Sequence, residues 1–479
     1  MAKIHIFLNA RLERSMLTYS FEEADASLYE YLYKCIKKDI ISGTIKPGEK
    51  LPSKRTLARN NGISTITVQN AYDQLIGEGY IYTIEKKGYY VADISGLSEL
   101  PKEGRIVFDI KVQKEEQYEF NLAGNGMNPD NFPFSIWAKL SREVIAAKKD
   151  ELMTRSPSTG VFALRNAIAE HLKSFRGMLI DPNQIVVGAG TEYLYGILVQ
   201  LLGKDKIYAI ENPGYKKLID IYAQYDVKPV YADMDQSGLT IGGLSVAKAE
   251  VAHICPNHHF PTGITMPASR RSEMLAWANE QSTRYIIEDD YDSEFRRNGK
   301  PIPTLFSIDS CEKVVYMNTF SKSLTPTIRV SYMVLPVHLA NRLYEKMAFL
   351  SCTVSNFDQY TLAEFINRGY FEKHINRMRL YYIRQHSRVL EMIEESSLRD
   401  YCEVIENDSG LHFLLKLSTD ISDSELGKRL RERGVSIRAL SDYYLTKEKR
   451  REHYLIMNYS NIDIELLPEA CERIYECLK

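Results

Sequence analysis

The 479-residue sequence predicts a multidomain protein: a small, mostly helical N-terminal domain followed by a larger α/β domain with a mostly parallel sheet. The length suits more than one domain. Helical periodicity governs the N-terminal segment, whereas short apolar runs alternate with helical stretches from Asn121 onward. Residues 94–120 between them are polar and irregular, as in a linker. We therefore expect domains at 24–93 and 121–479, joined by the linker 94–120.

Composition excludes several classes of protein. The chain is 44% hydrophobic and 26% charged, which is typical of soluble globular proteins and argues against a largely disordered chain. The net charge of −2 leaves room for a local basic face. Seven scattered cysteines without a CxxC pair predict no disulfide framework and no metal cluster, and favour a reducing cytoplasm. The absence of a long apolar run and of a secretory leader predicts a cytoplasmic protein with no membrane span.

Periodicity in the N-terminal segment predicts three helices and a hairpin. Residues 28–41 carry an apolar helical stripe, and Ser53 is suited to cap a second helix. A turn at Gly62 separates it from a third helix opened by Ser64, with an apolar face formed by Val68, Ala71, Tyr72, Leu75 and Ile76. After Gly79 the alternation of apolar and polar residues predicts a hairpin with the basic tip Lys86-Lys87-Gly88. This order is that of a winged helix-turn-helix.

Charge and polar placement indicate what this domain binds. Residues 34–90 hold ten Lys and Arg residues against five Asp and Glu residues, a local net charge of +5. Charge alone favours the solvated surface of a structural module. The start of the third helix also presents short polar side chains off the apolar face: Thr65, Thr67, Gln69 and Asn70. Such side chains suit base edges and phosphates, so the combination predicts binding of double-stranded DNA.

The segments LPSKRTLA, STITVQNAYDQLIGEGY and GYYV closely resemble the winged-helix domain of GntR-type bacterial transcription regulators, over roughly residues 28–91. The resemblance implies contacts to phosphate or base from Ser53 and Arg55 at the first of the two helices. It places Thr65, Thr67 and Gln69 on the recognition helix. It places Lys87 and Gly88 at a wing tip in the minor groove.

Two motifs in the C-terminal half follow predicted strands. Gly188-Ala189-Gly190-Thr191 lies between a strand and a helix, where backbone N–H groups can bind an anion, although a turn of this kind taken alone is more often a plain connection. Asp289, Asp290 and Tyr291 end another apolar strand, where open α/β sheets bind ligands. A carboxylate there could bond a pyridinium nitrogen, ligate a metal or cap the next helix.

Two further motifs carry a lysine and an aromatic ring. Lys322 lies in a Ser/Thr-rich turn after a strand, followed by Arg329. A lysine beside an electrophilic cofactor forms a Schiff base, whereas an isolated lysine more often lies on the surface in a salt bridge. Tyr215 follows a strand and a Pro-Gly turn, where its ring could stack on a flat cofactor or simply pack as a core aromatic.

The order of these motifs resembles that of fold type I aminotransferases, which bind pyridoxal 5′-phosphate. The resemblance implies that Lys322 forms the internal aldimine, Asp289 pairs with the pyridine nitrogen, Tyr291 bonds the ring hydroxyl and Tyr215 lies against the ring. The phosphate ligands would be Ala189, Gly190, Thr191, Thr319, Ser321 and Arg329. Many such enzymes carry N-P-T-G, with the Asn on the ring hydroxyl. Here the run is NHHFPTG, so Phe260 takes that place. His258 or His259 could substitute, or both could be structural histidines.

Together the two halves resemble the MocR/GabR subfamily of GntR-type regulators. The resemblance implies a head-to-tail homodimer on two DNA half-sites and a regulator, not an enzyme, that senses an amino-compound effector through an aldimine at Lys322, with half-transamination still possible. The alternative is an active aminotransferase with an appended DNA-binding domain. A third reading is a regulator whose large domain binds the cofactor only as a corepressor.

The expected effector pocket differs from that of GabR-like sensors, in which two arginines hold the carboxylate of γ-aminobutyrate. Their positions correspond here to Lys217 and Asp442. The first change loses the bidentate fork and the second reverses the charge. Arg438 could supply a replacement cation. We therefore expect a different amino compound, a dipeptide, a ligand with an additional amine or pyridoxal phosphate itself as the effector.

Overall fold

The computed structural model describes residues 17–21, 27–94, 110–111, 117–124, 126–297, 302–405, 410–446 and 449–479. Backbone contacts divide the chain into two compact units, Met1–Lys114 and Glu115–Lys479. The division falls within the segment predicted as a linker. Phe120, its last residue, already belongs to a strand of the larger unit.

The smaller unit contains three helices and a hairpin. They are α1 (Leu28–Ile41), α2 (Lys54–Asn61), α3 (Thr65–Gly77), β1 (Ile81–Ile84) and β2 (Gly88–Val91), with the two strands antiparallel. The hydroxyls of Ser53 and Ser64 accept hydrogen bonds from the backbone N–H groups of Thr56 and Thr67 at 3.2 and 3.0 Å. Each satisfies an amide that lacks a partner within the helix, which explains why both helices begin where the sequence predicts.

The apolar stripes of the three helices meet in one core. Its fully buried members include Leu32, Ile36, Leu57, Val68, Tyr72, Leu75, Ile81 and Val91. Burying one such aliphatic side chain contributes about 1.5–3 kcal/mol. Leu28, which shares the stripe of α1, remains 45% exposed at the helix start.

An eight-stranded sheet forms the centre of the larger unit. After the short strand β3 (Phe120–Asn121), its strands are β4 (Ile185–Gly188), β5 (Tyr208–Asn212), β6 (Val230–Asp235), β7 (Gly238–Leu239), β8 (Val251–Ile254), β9 (Tyr285–Asp289), β10 (Val314–Thr319) and β11 (Ser331–Val334). They lie in the order β4-β11-β10-β9-β8-β5-β6-β7. All neighbouring pairs are parallel except those of β11 and β7. This confirms the predicted mostly parallel sheet.

Helices cover both faces of this sheet. They are α4 (Phe134–Ala147), α5 (Lys149–Leu152), α6 (Phe162–Arg176), α7 (Thr191–Leu202), α8 (Lys217–Ala223), α9 (Ile241–Val246), α10 (Ala268–Asn279), α11 (Leu305–Ile308), α12 (Phe320–Ser323), α13 (Val337–Met347), α14 (Asn356–Asn367) and α15 (Tyr370–Glu395). Neighbouring residues of one strand enter different cores: Val186 packs in one apolar cluster and Val187 in another. Strands buried on both faces read as continuous apolar runs, which is the pattern in the sequence.

A second, antiparallel sheet occupies the C-terminal part and was not separated in the sequence analysis. It consists of β12 (Cys402–Ile405), β13 (His412–Leu417), β15 (Arg438–Ala439) and β16 (Tyr454–Asn458), with α16 (Asp423–Glu432) and α17 (Leu467–Leu478). Strand β14 (Val435–Ser436) pairs with β3. Strand β13 of the antiparallel sheet is buried at five of its six positions, so it lacks the alternation that marks a half-exposed strand. In the part of the chain that the structure describes, no helix is long and apolar enough to cross a bilayer.

Candidate cofactor site and DNA-binding surface

Strand register brings the motifs of the larger unit to one end of the sheet. Gly188 on β4 lies opposite Ser331 on β11, and Ser331 lies opposite Thr319 on β10. The hydroxyl of Ser331 donates to Oγ1 of Thr319 at 2.8 Å. The glycine-rich turn follows Gly188 and the Lys322 turn follows Thr319. Strand β9 ends on the same side, because Asp289 pairs with Met317 of β10. Three loops distant in sequence therefore share the carboxyl edge, where such sheets bind ligands.

One corner of this edge is suited to an anion. Helix α7 begins directly after Gly190, whose φ is +94°. A side chain on Gly190 would collide with the guanidinium of Arg329. Arg329 and Lys217 each donate to the carboxylate of Glu192 at 2.6 Å. Although burial raises the pKa of Glu192, these bonds lower it to about 2. Two cations share one carboxylate, so the cluster keeps one positive charge beside a helix N-terminus.

The remaining predicted phosphate ligands surround this corner. The N–H of Ala189 donates to Oγ1 of Thr353 at 2.9 Å, and Thr191 is the first residue of α7. The N–H of Ser321 donates to Oγ1 of Thr319 at 3.1 Å, which caps α12. All six residues that the resemblance assigns to the phosphate therefore lie at this edge of the sheet, and their contact with a phosphate stays a prediction.

Asp289 carries an unsatisfied buried oxygen. Its Oδ2 accepts the hydroxyl of Tyr195 at 2.6 Å and lies 3.6 Å from Nε2 of His253. Its Oδ1 is buried, and no hydrogen-bond partner for it exists among the described residues. Leaving such an atom unsatisfied costs about 1–3 kcal/mol or more for a charged group, and an N–H donor from a ligand would remove that cost. This unsatisfied acceptor therefore fits the N–H of a protonated pyridine nitrogen.

Sequence reasoning missed Tyr195 and His253. Tyr195 lies one turn into α7, and His253 is the polar residue of the otherwise apolar strand β8. Nδ1 of His253 lies 2.8 Å from the hydroxyl of Tyr222. A histidine in a buried apolar strand was a usable signal, because such a group needs hydrogen-bond partners. Tyr195 gave no comparable signal in a chain with 32 tyrosines.

Lys322 lies in the short helix α12, and its amine is suited to nucleophilic attack. Burial lowers the pKa of Lys322 to about 8, an effect that the charge of Asp292 partly offsets. A lysine attacks a carbonyl only as the neutral amine. With a pKa of about 8, a far larger fraction of the amine is neutral at pH 7 than in an ordinary lysine.

Aromatic rings line the other side of the site. Tyr215 is 45% exposed, and its ring meets Phe260 edge-on with centroids 6.2 Å apart. Phe260 in turn contacts Tyr443 at 5.1 Å and His412 at 5.2 Å. Phe260 therefore links Tyr215 to the C-terminal sheet through apolar contact. Its side chain offers no donor where the resembling enzymes carry an amide.

The residues predicted for the effector do not converge. Lys217 pairs with Glu192, as described above. Asp442 accepts the backbone N–H of Ala439 at 3.3 Å and lines a separate cavity of about 240 Å³ together with Arg438. The neighbouring Tyr443, not Asp442, contacts Phe260. The chain turns at this point so that adjacent side chains enter different environments.

The DNA-binding residues predicted from the sequence lie on the surface of the smaller unit. Arg55, Thr65, Gln69 and Lys87 are exposed, and Gly88 opens β2. The hydroxyls of Ser53 and Thr67 already take part in the helix caps, Thr67 through a 2.8 Å bond to Ser64. Ile66 was not predicted, yet it is 71% exposed at the start of α3. An exposed branched apolar side chain there is suited to the methyl group of thymine.

These two sites define the chain as a DNA-binding transcription regulator with an aminotransferase-like domain. Residues 28–91 match the family described as bacterial regulatory proteins, gntR family, and residues 120–474 match aminotransferase class I and II. The chain is 36% identical over 421 residues to the uncharacterized HTH-type transcriptional regulator YdeL of Bacillus subtilis (strain 168), covering 88% of this chain and 90% of that protein. It is 28% identical over 464 residues to the probable rhizopine catabolism regulatory protein MocR of Rhizobium meliloti, covering 94% and 93%. The chain belongs to the MocR/GabR subfamily of GntR-type regulators.

A solved structure supports the fold of the larger unit. Kynurenine aminotransferase from Pyrococcus horikoshii superposes with a TM-score of 0.66 at 21% identity, covering 78% of this chain and 96% of that enzyme. At this identity the likeness shows the fold alone. The predicted combination of a winged helix-turn-helix with a fold type I aminotransferase domain is confirmed.

Proposed function

We propose that the larger unit binds pyridoxal 5′-phosphate on Lys322 and senses an amino compound through an aldimine there, and that this event changes DNA binding by the winged helix. The observation that carries the proposal is the buried Oδ1 of Asp289, which has no hydrogen-bond partner among the described residues. A homodimer would present two winged helices to two half-sites of an operator.

Three groups of residues would each hold one part of the cofactor. Arg329 and the start of α7 would hold the phosphate, Asp289 the pyridine nitrogen and Tyr291 the ring hydroxyl. When bound, the cofactor supplies an electrophilic carbon to amines and an electron sink. The chain itself supplies the neutral amine of Lys322 and the carboxylate of Asp289, which the hydroxyl of Tyr195 holds in place.

The charges beside the site disfavour γ-aminobutyrate as the effector. Lys217 already pairs with Glu192. The second expected arginine position holds Asp442, which lines a separate cavity and supplies no cation. A ligand carboxylate would therefore compete with Glu192 for its cation. We propose that the effector is an amino compound whose recognition does not need two cations around one carboxylate.

The competing function is an active aminotransferase, which the lowered pKa of Lys322 favours. Visible absorption of the purified protein, titrated with amines and amino acids, separates the two. A sensor shows a saturable spectral change that persists and alters DNA affinity. An enzyme converts the cofactor to its amine form, releases a keto acid and is restored by keto acids with turnover. That result would replace the sensing proposal.

Loss of basic residues should weaken DNA binding in a salt-dependent manner. Arg55→Ala and Lys87→Ala are each expected to lower affinity for all sequences alike and to reduce the slope of log affinity against log salt concentration by about 1, because each removes one phosphate contact. Fluorescence anisotropy at several salt concentrations measures the slope. Lys204→Ala, an exposed lysine of the larger unit, is the matched control. Equal slopes for all four proteins would contradict the proposed surface.

Ile66 should read a thymine methyl group. A preferred duplex is first selected from a random pool with the wild-type protein. Replacing one thymine at a time by uracil should then cost the wild type about 1 kcal/mol, or about fivefold in Kd, at one position. Ile66→Ala should bind the thymine and uracil duplexes equally well. Sensitivity to uracil that survives in Ile66→Ala would show that another residue makes the contact.

A further inference from the structure

His258 lies beside Tyr291, the residue predicted to bond the cofactor's ring hydroxyl. Its Nδ1 lies 2.9 Å from Oδ2 of Asp292 and 3.2 Å from the hydroxyl of Tyr291. Its side chain and that of Asp292 are only 1% and 4% exposed. Phe260, two residues later, takes the place of the amide itself but carries no polar atom.

We infer that Asp292 and His258 form a positioning pair that replaces the missing amide by holding the hydroxyl of Tyr291 at the cofactor's ring hydroxyl. The inference rests on the proposed binding of pyridoxal phosphate. It selects His258 over His259 and adds Asp292 to the residues of the site.

The direction of the hydrogen bonds follows from the chemistry of the pair. A carboxylate beside Nδ1 selects the tautomer that carries its proton on Nδ1. This N–H faces both Asp292 and Tyr291, so the oxygen of Tyr291 accepts from it. The hydroxyl proton of Tyr291 is then left to donate towards the ligand. Burial raises the pKa of Tyr291 well above its usual value, so the hydroxyl keeps that proton across the physiological range.

Packing holds His258 in this orientation. Gly410 has a φ of +81°, and a side chain at this position would collide with the imidazole of His258. The ring centroid of His412 lies 4.6 Å from that of His258. Nε2 of His412 lies 3.1 Å from the carbonyl oxygen of Pro261. Burial holds the pKa of His412 well below its usual value, so this neighbour stays neutral. The backbone on one side and a neutral ring on the other leave the imidazole little room to turn.

The adjacent histidine serves a different purpose. Nδ1 of His259 lies 2.7 Å from the hydroxyl of Thr262, and Nε2 lies 3.5 Å from Glu211. Burial and the neighbouring His258 lower the pKa of His259 to about 3. His259 therefore stabilises its own loop. It provides a matched control that is next in sequence and equally buried.

The charged and titratable groups around the pair come from several elements: Asp289, Tyr291 and Asp292 at the end of β9, Glu211 on β5, Cys255 and His259 after β8, Lys322 on α12 and His412 on β13. A hydrogen bond donated to the deprotonated form of the cofactor lowers the pKa of the cofactor. Loss of the pair should therefore raise the pH midpoint of the bound cofactor's visible absorption.

The test compares this midpoint across variants of the full chain loaded with pyridoxal phosphate. His258→Leu is expected to raise it by about one pH unit, whereas His258→Gln, which keeps an N–H donor, should stay closer to the wild type. Asp292→Asn should change it less than His258→Leu, because the amide oxygen still accepts from Nδ1 while loss of the negative charge opposes the rise. His259→Gln should leave it unchanged. Borohydride reduction and mass spectrometry verify one cofactor per chain in each variant.

The outcomes separate this inference from the proposed function. An unchanged midpoint in His258→Leu, with full cofactor content, overturns the positioning pair and leaves the sensor intact. An equal rise in His259→Gln also overturns it, because the effect would then come from the loop. A wild-type chain that binds no pyridoxal phosphate refutes the proposed function itself.

Discussion

Replacing Lys322 with alanine is expected to abolish covalent attachment of pyridoxal phosphate and with it the response to an amino compound. The partly buried amine has its pKa lowered to about 8, and the acceptors and donors for phosphate and ring converge on the same sheet edge. Alanine leaves those contacts but removes the nucleophile. In the variant, borohydride treatment should label no lysine, whereas the wild type should carry the reduced adduct on Lys322.

Lys217→Ala is the control for the loss of a lysine near the site. It should retain the adduct on Lys322, because Lys217 pairs with Glu192 and is not the predicted nucleophile. DNA affinity in the absence of effector should be the same for all three proteins. An adduct that persists in Lys322→Ala, or that moves to Lys217 in the wild type, would contradict the assignment of the attachment site.

The second large effect is a loss of stability when the buried ion pair of Arg176 and Asp290 is broken. Arg176 on α6 donates to Oδ2 of Asp290 at 2.6 Å, and their side chains are 2% and 1% exposed. Tyr316 donates to the same oxygen at 2.7 Å. Arg176→Met should destabilise the larger unit by about 3–5 kcal/mol, because it leaves a buried carboxylate without its cation. Both tryptophans, Trp137 and Trp277, lie in that unit, so their fluorescence in a urea titration follows its unfolding.

A double-mutant cycle and a pH series test the cause. Arg176→Met combined with Asp290→Asn should recover part of the loss, because no charge is then left unpaired. Burial and the charge of Asp290 raise the pKa of Glu288 and of Glu294 to about 7. Since these folded-state values exceed the unfolded value of about 4.5, their contribution is full below pH 4.5 and is lost as the pH rises through 7. The cost of Arg176→Met should therefore be smaller at pH 5 than at pH 8. A cost independent of pH and additive in the cycle would show a packing defect.

Part of the fold and of the site could be predicted because local rules govern it. Apolar stripes and the capping residues Ser53 and Ser64 define the helices of the winged domain. The apolar runs define the strands of the parallel sheet because those strands are buried on both faces. The motif residues Asp289 and Lys322 end or follow such strands, so their convergence on one edge follows from parallel topology.

Contacts between residues far apart in the chain were decided only by the tertiary structure. The choice of His258 over His259 depends on Asp292 and Gly410, and the unsatisfied oxygen of Asp289 depends on where Tyr195 and His253 arrive. By itself, the sequence determined the periodicities, the caps and the order of the motifs, since each depends on neighbours within a few residues. Which side chain meets which across the site depends on strand register and packing, since these act between residues that no local pattern connects.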